Sequence, residues 1–377
     1  MTLNRMARRY GATALGLSLA VALAACGGTT QGDGDPAPAP APAAGESAPA
    51  DDPATDTSSD AASPAAGGEI EEGLAIAMLP KQVNNPYFET SSTGAEAAVT
   101  ELGGTYEYTG PSEATASSQV SYINTLSQQG TAAILLSAND PNALCSSLDQ
   151  AREAGAAVVT FDSDVDPECR DLFVSQVDGE EVGITLIEMM AEQMDGDGQF
   201  AILSATANAT NQNAWIEVIE SELESNPDYA EMELVGTAYG DDEDEKSFQE
   251  TQGLIQANPD LEGIISPTTV GIAAAARYLQ GSEYKGQVAL TGLGTPNQMR
   301  EFVEDETVAE FALWDPGALG ELAAWAGASV ASGLITGAEG DTFTAGELGE
   351  YTVGADGVVI LGPPTRFNAE NIADFDF

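Results

Sequence analysis

The chain of 377 residues carries 61 acidic against 11 basic side chains, a formal net charge of -50, and no histidine. A surface this acidic repels nucleic acid and anionic lipid, and it reads as a solvated exterior suited to salty surroundings. Without histidine, Ser-His-Asp and Cys-His nucleophiles and most zinc sites are excluded, leaving only carboxylate chemistry.

The first element in chain order is an export signal over residues 1–25. Arg5, Arg8 and Arg9 precede an apolar run from about Ala12 to Ala25, too short to remain as a bilayer-spanning helix. The run ends Leu23-Ala24-Ala25-Cys26, the small-residue-then-cysteine pattern of a bacterial lipoprotein signal, so Cys26 is expected to open the mature chain and carry lipid. Arg8-Arg9 leaves a twin-arginine route open beside the general one. Residues 26–68 form an acidic Pro/Ala linker with no apolar face to bury, spanning on the order of 35 Å as a flexible coil. The expectation is a body in water, anchored to the outer face of the cell membrane. With Cys26 lipidated, Cys145 and Cys169 remain as an even pair in an oxidising compartment, and a disulfide between them is expected; two buried free thiols are the alternative.

From Leu74 the texture changes to short apolar runs alternating with helical patterns. Strands are expected at 74–79, 105–109, 132–137, 156–161, 172–176, 199–204, 233–238, 263–266, 288–292 and 310–314, with helices at 90–102, 115–128, 142–154, 182–194, 212–225, 245–256, 269–279 and 316–334. Gly103-Gly104, Gly130 and Gly155 supply helix stops. The fold class is α/β, and a body of this length fits two doubly wound lobes at about 100 to 200 residues per domain. A barrel of eight βα units fits less well, because the polar passage from Asp162 to Arg170 joins two strands without a helix.

In open α/β sheets ligands collect at the carboxyl ends of the strands. After the first strand come Lys81, Asn85, Tyr87 and Phe88, a cation, an amide and two aromatics. A sugar needs this mixture, since its hydroxyls take fork-like hydrogen bonds while its C–H face packs on a ring. Tyr87 and Phe88 read equally well as core beneath the next helix. After the fourth strand, Asp162 and Asp164 fall on one side of an extended chain. Asn208 to Asn213 is an amide-rich helix entry, and Pro267-Thr268-Thr269, Gly294 to Asn297 and Trp314-Asp315-Pro316 follow later strands, each equally readable as a helix cap. The run Asp241 to Glu245 reads as a solvated helix start. No glycine-rich phosphate loop follows a strand, and neither a cofactor nor a metal is expected.

From Leu74 to Phe377 the chain resembles the extracytoplasmic sugar-binding receptors of ATP-driven importers, the ribose-binding-protein type, and within them the rhamnose-binding branch. Met78 to Lys81, Asn85 to Phe88, Ala209 to Trp215, Ile265 to Ala273, Leu293 to Asn297, Phe311 to Asp315 and Leu361 to Pro364 carry the resemblance. The autoinducer-2 receptors are a sister group. Against their pattern this chain keeps Lys81, Asp162, Gln212 and Pro267, but has Asn211 for an aspartate and Thr269 for an alanine, departures that favour rhamnose. Cys145 and Pro167 to Arg170 look more like the autoinducer side.

The resemblance implies a type I periplasmic binding protein with two Rossmann-like lobes and a three-segment hinge. The first lobe is expected over 69–176 plus 315–342 and the second over 177–314 plus 343–377, with crossings near Gln176, near Trp314 and around Gly340 to Gly349. Lys81, Asn85, Tyr87, Phe88, Asp162 and Asp164 would meet the ligand from the first lobe, Asn211, Gln212, Pro267, Thr268 and Thr269 from the second, with Trp314 and Asp315 at the hinge. The implied protein is a monomeric, non-enzymatic sugar receptor that delivers its ligand to a membrane permease. A carboxylate-based glycoside hydrolase using Asp162 is the alternative of a different class.

Overall fold

Two mostly parallel sheets, each flanked by helices, account for the apolar runs from Leu74 onward. A computed structural model describes residues 68–377; the expected signal, Cys26 and nearly all of the linker lie outside the described residues. The first lobe opens with β1 (Ala75–Leu79), α1 (Pro86–Glu101), β2 (Thr105–Tyr108), α2 (Ala116–Gln129), β3 (Ala133–Leu136), α3 (Cys145–Glu153), β4 (Ala157–Phe161) and β5 (Leu172–Ser175). The second follows with α4 (Gly179–Gln193), β6 (Asp197–Ser204), α5 (Thr210–Ser225), β7 (Glu231–Tyr239), α6 (Asp244–Ala257), β8 (Leu261–Ser266), α7 (Thr269–Gln280), β9 (Ala289–Gly292), α8 (Pro296–Glu304) and β10 (Glu310–Leu313). The chain then returns through α9 (Pro316–Ala331), β11 (Thr342–Thr344), β12 (Glu350–Thr352) and β13 (Val358–Ile360) before ending with β14 (Thr365–Asn368).

The first sheet has the order β2-β1-β3-β4-β5-β13, all parallel. Its inner strands are apolar on both faces because both are covered. Ile76 and Met78 enter the core shared with α1 and α9, while Ala77 and Leu79 face the core under α2 and α3. β2, which has only one strand beside it, instead alternates between exposed and half-buried residues. The second sheet runs β7-β6-β8-β9, and a single bridge between Leu293 and Ala312 joins it to β10, which pairs antiparallel with β14. In each lobe the strand order reverses beside the first strand, between β1 and β3 and between β6 and β8, where α/β sheets open a crevice.

Three passages connect the lobes. The first two run between β5 and α4 and between β10 and α9. Val358–Ile360 pairs with Phe173–Ser175 at the edge of the first sheet, so 343–360 lie with the first lobe, against the expected assignment of 343–377 to the second, and the third passage is the short Leu361-Gly362-Pro363-Pro364. The segment around Gly340 to Gly349 forms the β11–β12 hairpin against α9 instead.

Cys145, at the start of α3, is bonded to Cys169 in the turn Pro167–Cys169, with 5.0 Å between Cα atoms and a sequence separation of 24. Opening a loop of this size is expected to cost about 3 kcal/mol of stability. Thermal unfolding with and without reductant measures it, and Cys145→Ser should reproduce the reduced value.

Candidate functional site

The ends of β1 and β4 in the first lobe and of β6, β7, β8, β9 and β10 in the second converge on one cavity. The loop after β1 delivers Lys81. Its shape is held by Gln119 of α2, fully buried, whose amide donates to the carbonyls of Pro80 (3.0 Å) and Ser137 (2.7 Å) and accepts from the Asn139 N–H. Asn85 lines the cavity and also caps α1, accepting from Tyr87 N at 3.0 Å, with Pro86 in the first turn where its missing N–H costs nothing. The helix therefore begins at Pro86 rather than Thr90. Tyr87 and Phe88 lie in its first turn, at once core and cavity wall.

The aromatics form a continuous edge-to-face chain. Phe88 meets Phe161 and Tyr87 meets Trp314 at 6.2 Å each, and Trp314 meets Trp215 at 6.0 Å. The Trp314 indole donates to the Tyr87 hydroxyl at 2.8 Å. Burial first, and then the Asp162 charge, hold the Tyr87 hydroxyl well above the ordinary tyrosine pKa, so it stays neutral.

Asp162 sits in a left-handed conformation (φ 61°), with Ser163 N donating to Phe161 O at 2.6 Å. This is a three-residue turn that non-glycine residues rarely adopt, and such strain concentrates at binding sites. The carboxylate accepts from Ser137 Oγ at 2.7 Å and lies 3.4 Å from Lys81 Nζ, both ionic side chains being buried. The same turn breaks the extended alternation expected across Asp162 and Asp164. Asp164 is turned out of the cavity into a bidentate pair with Arg170 at 2.7 and 2.8 Å, which ties the loop down.

From the second lobe, Asn211, Gln212 and Trp215 arrive on the first turns of α5. Gln212 Oε1 accepts from Ser204 Oγ (2.7 Å) and Ala205 N (2.8 Å), so its N–H₂ group is what it has left to offer the cavity. Pro267, Thr268 and Thr269 line the wall after β8, and Leu293 and Leu313 close the floor. Asp315 is not in the cavity. It caps α9, accepting from Gly317 N (2.8 Å) and Ala318 N (3.1 Å). Nor do Thr295 to Asn297 reach it, since they open α8, a helix missed in the sequence.

Asp242, one of five consecutive acids that read as a solvated helix start, is buried in the cavity wall and accepts from Thr268 Oγ1. Trp215 was also missed, although its i, i+3 spacing from Gln212 puts the two on one helix face. Burial raises the Asp242 pKa, Thr268 and the Lys81 charge oppose the rise, and the Asp162 and Asp241 charges add to it. The closed protein therefore holds this proton more tightly than the opened or unfolded chain. Asp242 contributes stability at pH values below its unfolded pKa and loses that contribution as pH rises through the raised one. Lowering the pH below neutrality should tighten ligand binding in the wild type relative to Asp242→Asn, as read by calorimetry at several pH values.

Direct hydrogen bonds cross between the lobes at the cavity. Lys81 Nζ donates to Asn211 Oδ1 (3.1 Å), Asn211 Nδ2 donates to Asp162 O and Oδ1 (3.2 and 3.3 Å), and Gln82 Nε2 donates to Asp242 O (3.0 Å). The lobes are closed on each other. Their lining of amides, one ammonium, two carboxyls and four aromatics suits a neutral polyhydroxylated ligand.

Residues 76–334 match the family described as periplasmic binding protein domain. A sugar ABC transporter structure from Actinomyces odontolyticus ATCC 17982 is 55% identical, over 81% of this chain and 98% of its own, with a TM-score of 0.66. An ABC transporter solute binding protein from Clostridium phytofermentas, solved with bound L-rhamnose, is 36% identical over 80% of this chain and 98% of its own, with a TM-score of 0.78. LsrB from Clostridium saccharobutylicum, in complex with AI-2, is 28% identical over 81% and 100%, with a TM-score of 0.75. The chain belongs to the periplasmic binding protein domain family and, within it, to the solute-binding proteins of sugar ABC transporters, which bind their ligands without transforming them.

Proposed function

We propose that this protein captures a single monosaccharide, L-rhamnose foremost, between its two lobes and presents the closed form to an ABC permease, held at the outer face of the cell membrane by lipid on Cys26. The observation that carries the reading is the cavity itself, where Lys81 and Asp162 form a charged, hydroxyl-binding end and Tyr87, Phe88, Trp215 and Trp314 form an aromatic cradle. Ligand bridging both lobes stabilises closure by its differential affinity for the shut state, and the permease reads the shape. A hinge motion is supported by the relatives. The 55% identical one superposes less well than the 36% identical one, as two rigid lobes at a different mutual angle would. The protein acts as a monomer in this scheme, with no cofactor.

Rhamnose is favoured over autoinducer-2 by Asn211 and Thr269, and by the rhamnose-bound relative's better superposition and higher identity than the AI-2-bound one. Autoinducer-2 is the second reading, resting on the Lys81, Asp162, Gln212 and Pro267 set. Two of the three tryptophans line the cavity, so intrinsic fluorescence reports binding directly. A thermal-shift and fluorescence panel of L-rhamnose, ribose, xylose, galactose and autoinducer-2 should show saturable binding for rhamnose, since only a ligand of the native state raises the midpoint. Saturation by autoinducer-2 alone would favour the second reading, and silence from all five would reject both.

A further inference from the structure

Gln82 stands apart from its neighbours in the first-lobe loop. Lys81 and Asn85 line the cavity, whereas Gln82 does not, yet it is buried and its Nε2 crosses the cleft to the main-chain oxygen of Asp242 at 3.0 Å. Both ends of this bond sit on fixed turns. On the first-lobe side, Val83 N donates to Pro111 O at 2.8 Å and Asn84 takes a left-handed φ of 63°. On the other side, Asp241 and Asp242 are both left-handed (φ 54° and 52°), in a turn pinned by Gly240 N to Ser204 O, Asp241 N to Ala205 O and Glu243 N to Gly240 O, each at 2.9 Å. Two aspartates in that conformation are uncommon. Here they hold the Asp242 carbonyl toward Gln82 while the side chain turns to Thr268 in the cavity wall. Opening the cleft separates the two groups and exposes them to water.

We infer that Gln82 and the Asp242 carbonyl form a latch that sets affinity without reading the ligand. Because Gln82 lies outside the cavity lining, its bond adds to the closed state by the same amount whichever molecule is enclosed. Apparent affinity scales with the population of the binding-competent state, so a change in the latch multiplies every dissociation constant by one factor and leaves selectivity alone. Gln82 is thus a positioning residue for the binding function, and this inference rests on the reading of the cavity as a sugar site. Asn211, which also crosses the cleft, lines the cavity and is expected to change both affinity and selectivity.

The test uses the full chain with Gln82→Met, which keeps length and volume without the donor, and Gln82→Glu, which sets a carboxylate against the carbonyl. Calorimetry with L-rhamnose and D-ribose should give dissociation constants raised by a common factor, about 3- to 10-fold for Met and more for Glu, expressed mainly in faster release. The melting temperature of the ligand-free protein controls for folding. Unchanged affinity overturns the latch, and so does a loss that differs between the sugars, because it would place Gln82 on the ligand. If D-ribose does not bind the wild type, a second binder from the panel takes its place; if none of the panel binds, the sugar reading fails while the latch is still decided by small-angle scattering of the ligand-free proteins. The Gln82→Met curve must then show a wider molecule than wild type, and identical curves overturn the latch.

Discussion

Asp162→Ala should weaken sugar binding by about 2 to 4 kcal/mol, on the order of 30- to 1,000-fold in dissociation constant. Two losses combine. A carboxylate positioned to accept sugar hydroxyls disappears, and Lys81, buried 3.4 Å away, is left in the cavity with Asn211 as its remaining partner. Removing one member of a buried ion pair is costly because the other charge stays desolvated. Asp162→Asn should be milder, since an amide oxygen can still accept from Ser137 Oγ. Calorimetry against L-rhamnose checks both, and unchanged affinity in the alanine variant would reject the proposed pose.

The second large effect concerns the packing of α1 on α9, far simpler chemistry with a comparable consequence. A Cβ at Gly320 would lie 1.8 Å from the Ser91 carbonyl oxygen, and one at Gly94 would lie 1.9 Å from that of Gly317. Both obstacles are backbone, so no side chain can yield. Gly320→Ala should cost about 3 kcal/mol and lower the melting temperature by on the order of 6 to 12 °C. The double variant Gly94→Ala with Gly320→Ala should not fold. Gly253, exposed in the middle of α6 with nothing within 4 Å of its would-be Cβ, supplies the contrast. There the same substitution should stabilise by about 0.5 to 1 kcal/mol, through helix propensity alone. Scanning calorimetry of the three proteins separates close packing from propensity.

Much of the site was legible because topology does the placing. Once strands and helices alternate, the residues after each strand are candidates, and Lys81, Asp162, Gln212 and Thr268 all line the cavity at such positions. The failures share a physical cause. The geometry of an extended chain places Asp164 inside, and the left-handed turn at Asp162 that turns it out is invisible to periodicity. Asp242 lies within five consecutive acids, and composition gives no sign of which one is buried. Strand β13 is three residues long, too short for an alternation pattern, so nothing in the sequence moves the third crossing from the glycines near 340–349 to Leu361–Pro364. Helix α8 has only nine residues and begins at a proline that reads as a loop.

The position of α9 also bears on how the protein is made. The first lobe is not contiguous, since α9 and β13 join it only after the whole of the second lobe's run from α4 to β10 has been synthesised. Until α9 arrives, the part of the first sheet around Ala133 and Leu135, beneath Gly327, has no cover, and α1 lacks the surface that Gly94 and Ser91 abut. A nascent chain ending near residue 310 would therefore hold its amino-terminal half as an uncompleted layer with exposed apolar surface. The layer that carries Lys81 and Asp162 is therefore completed only by segments that follow the whole run from α4 to β10, which makes the first lobe dependent on contacts distant in sequence and slow to form.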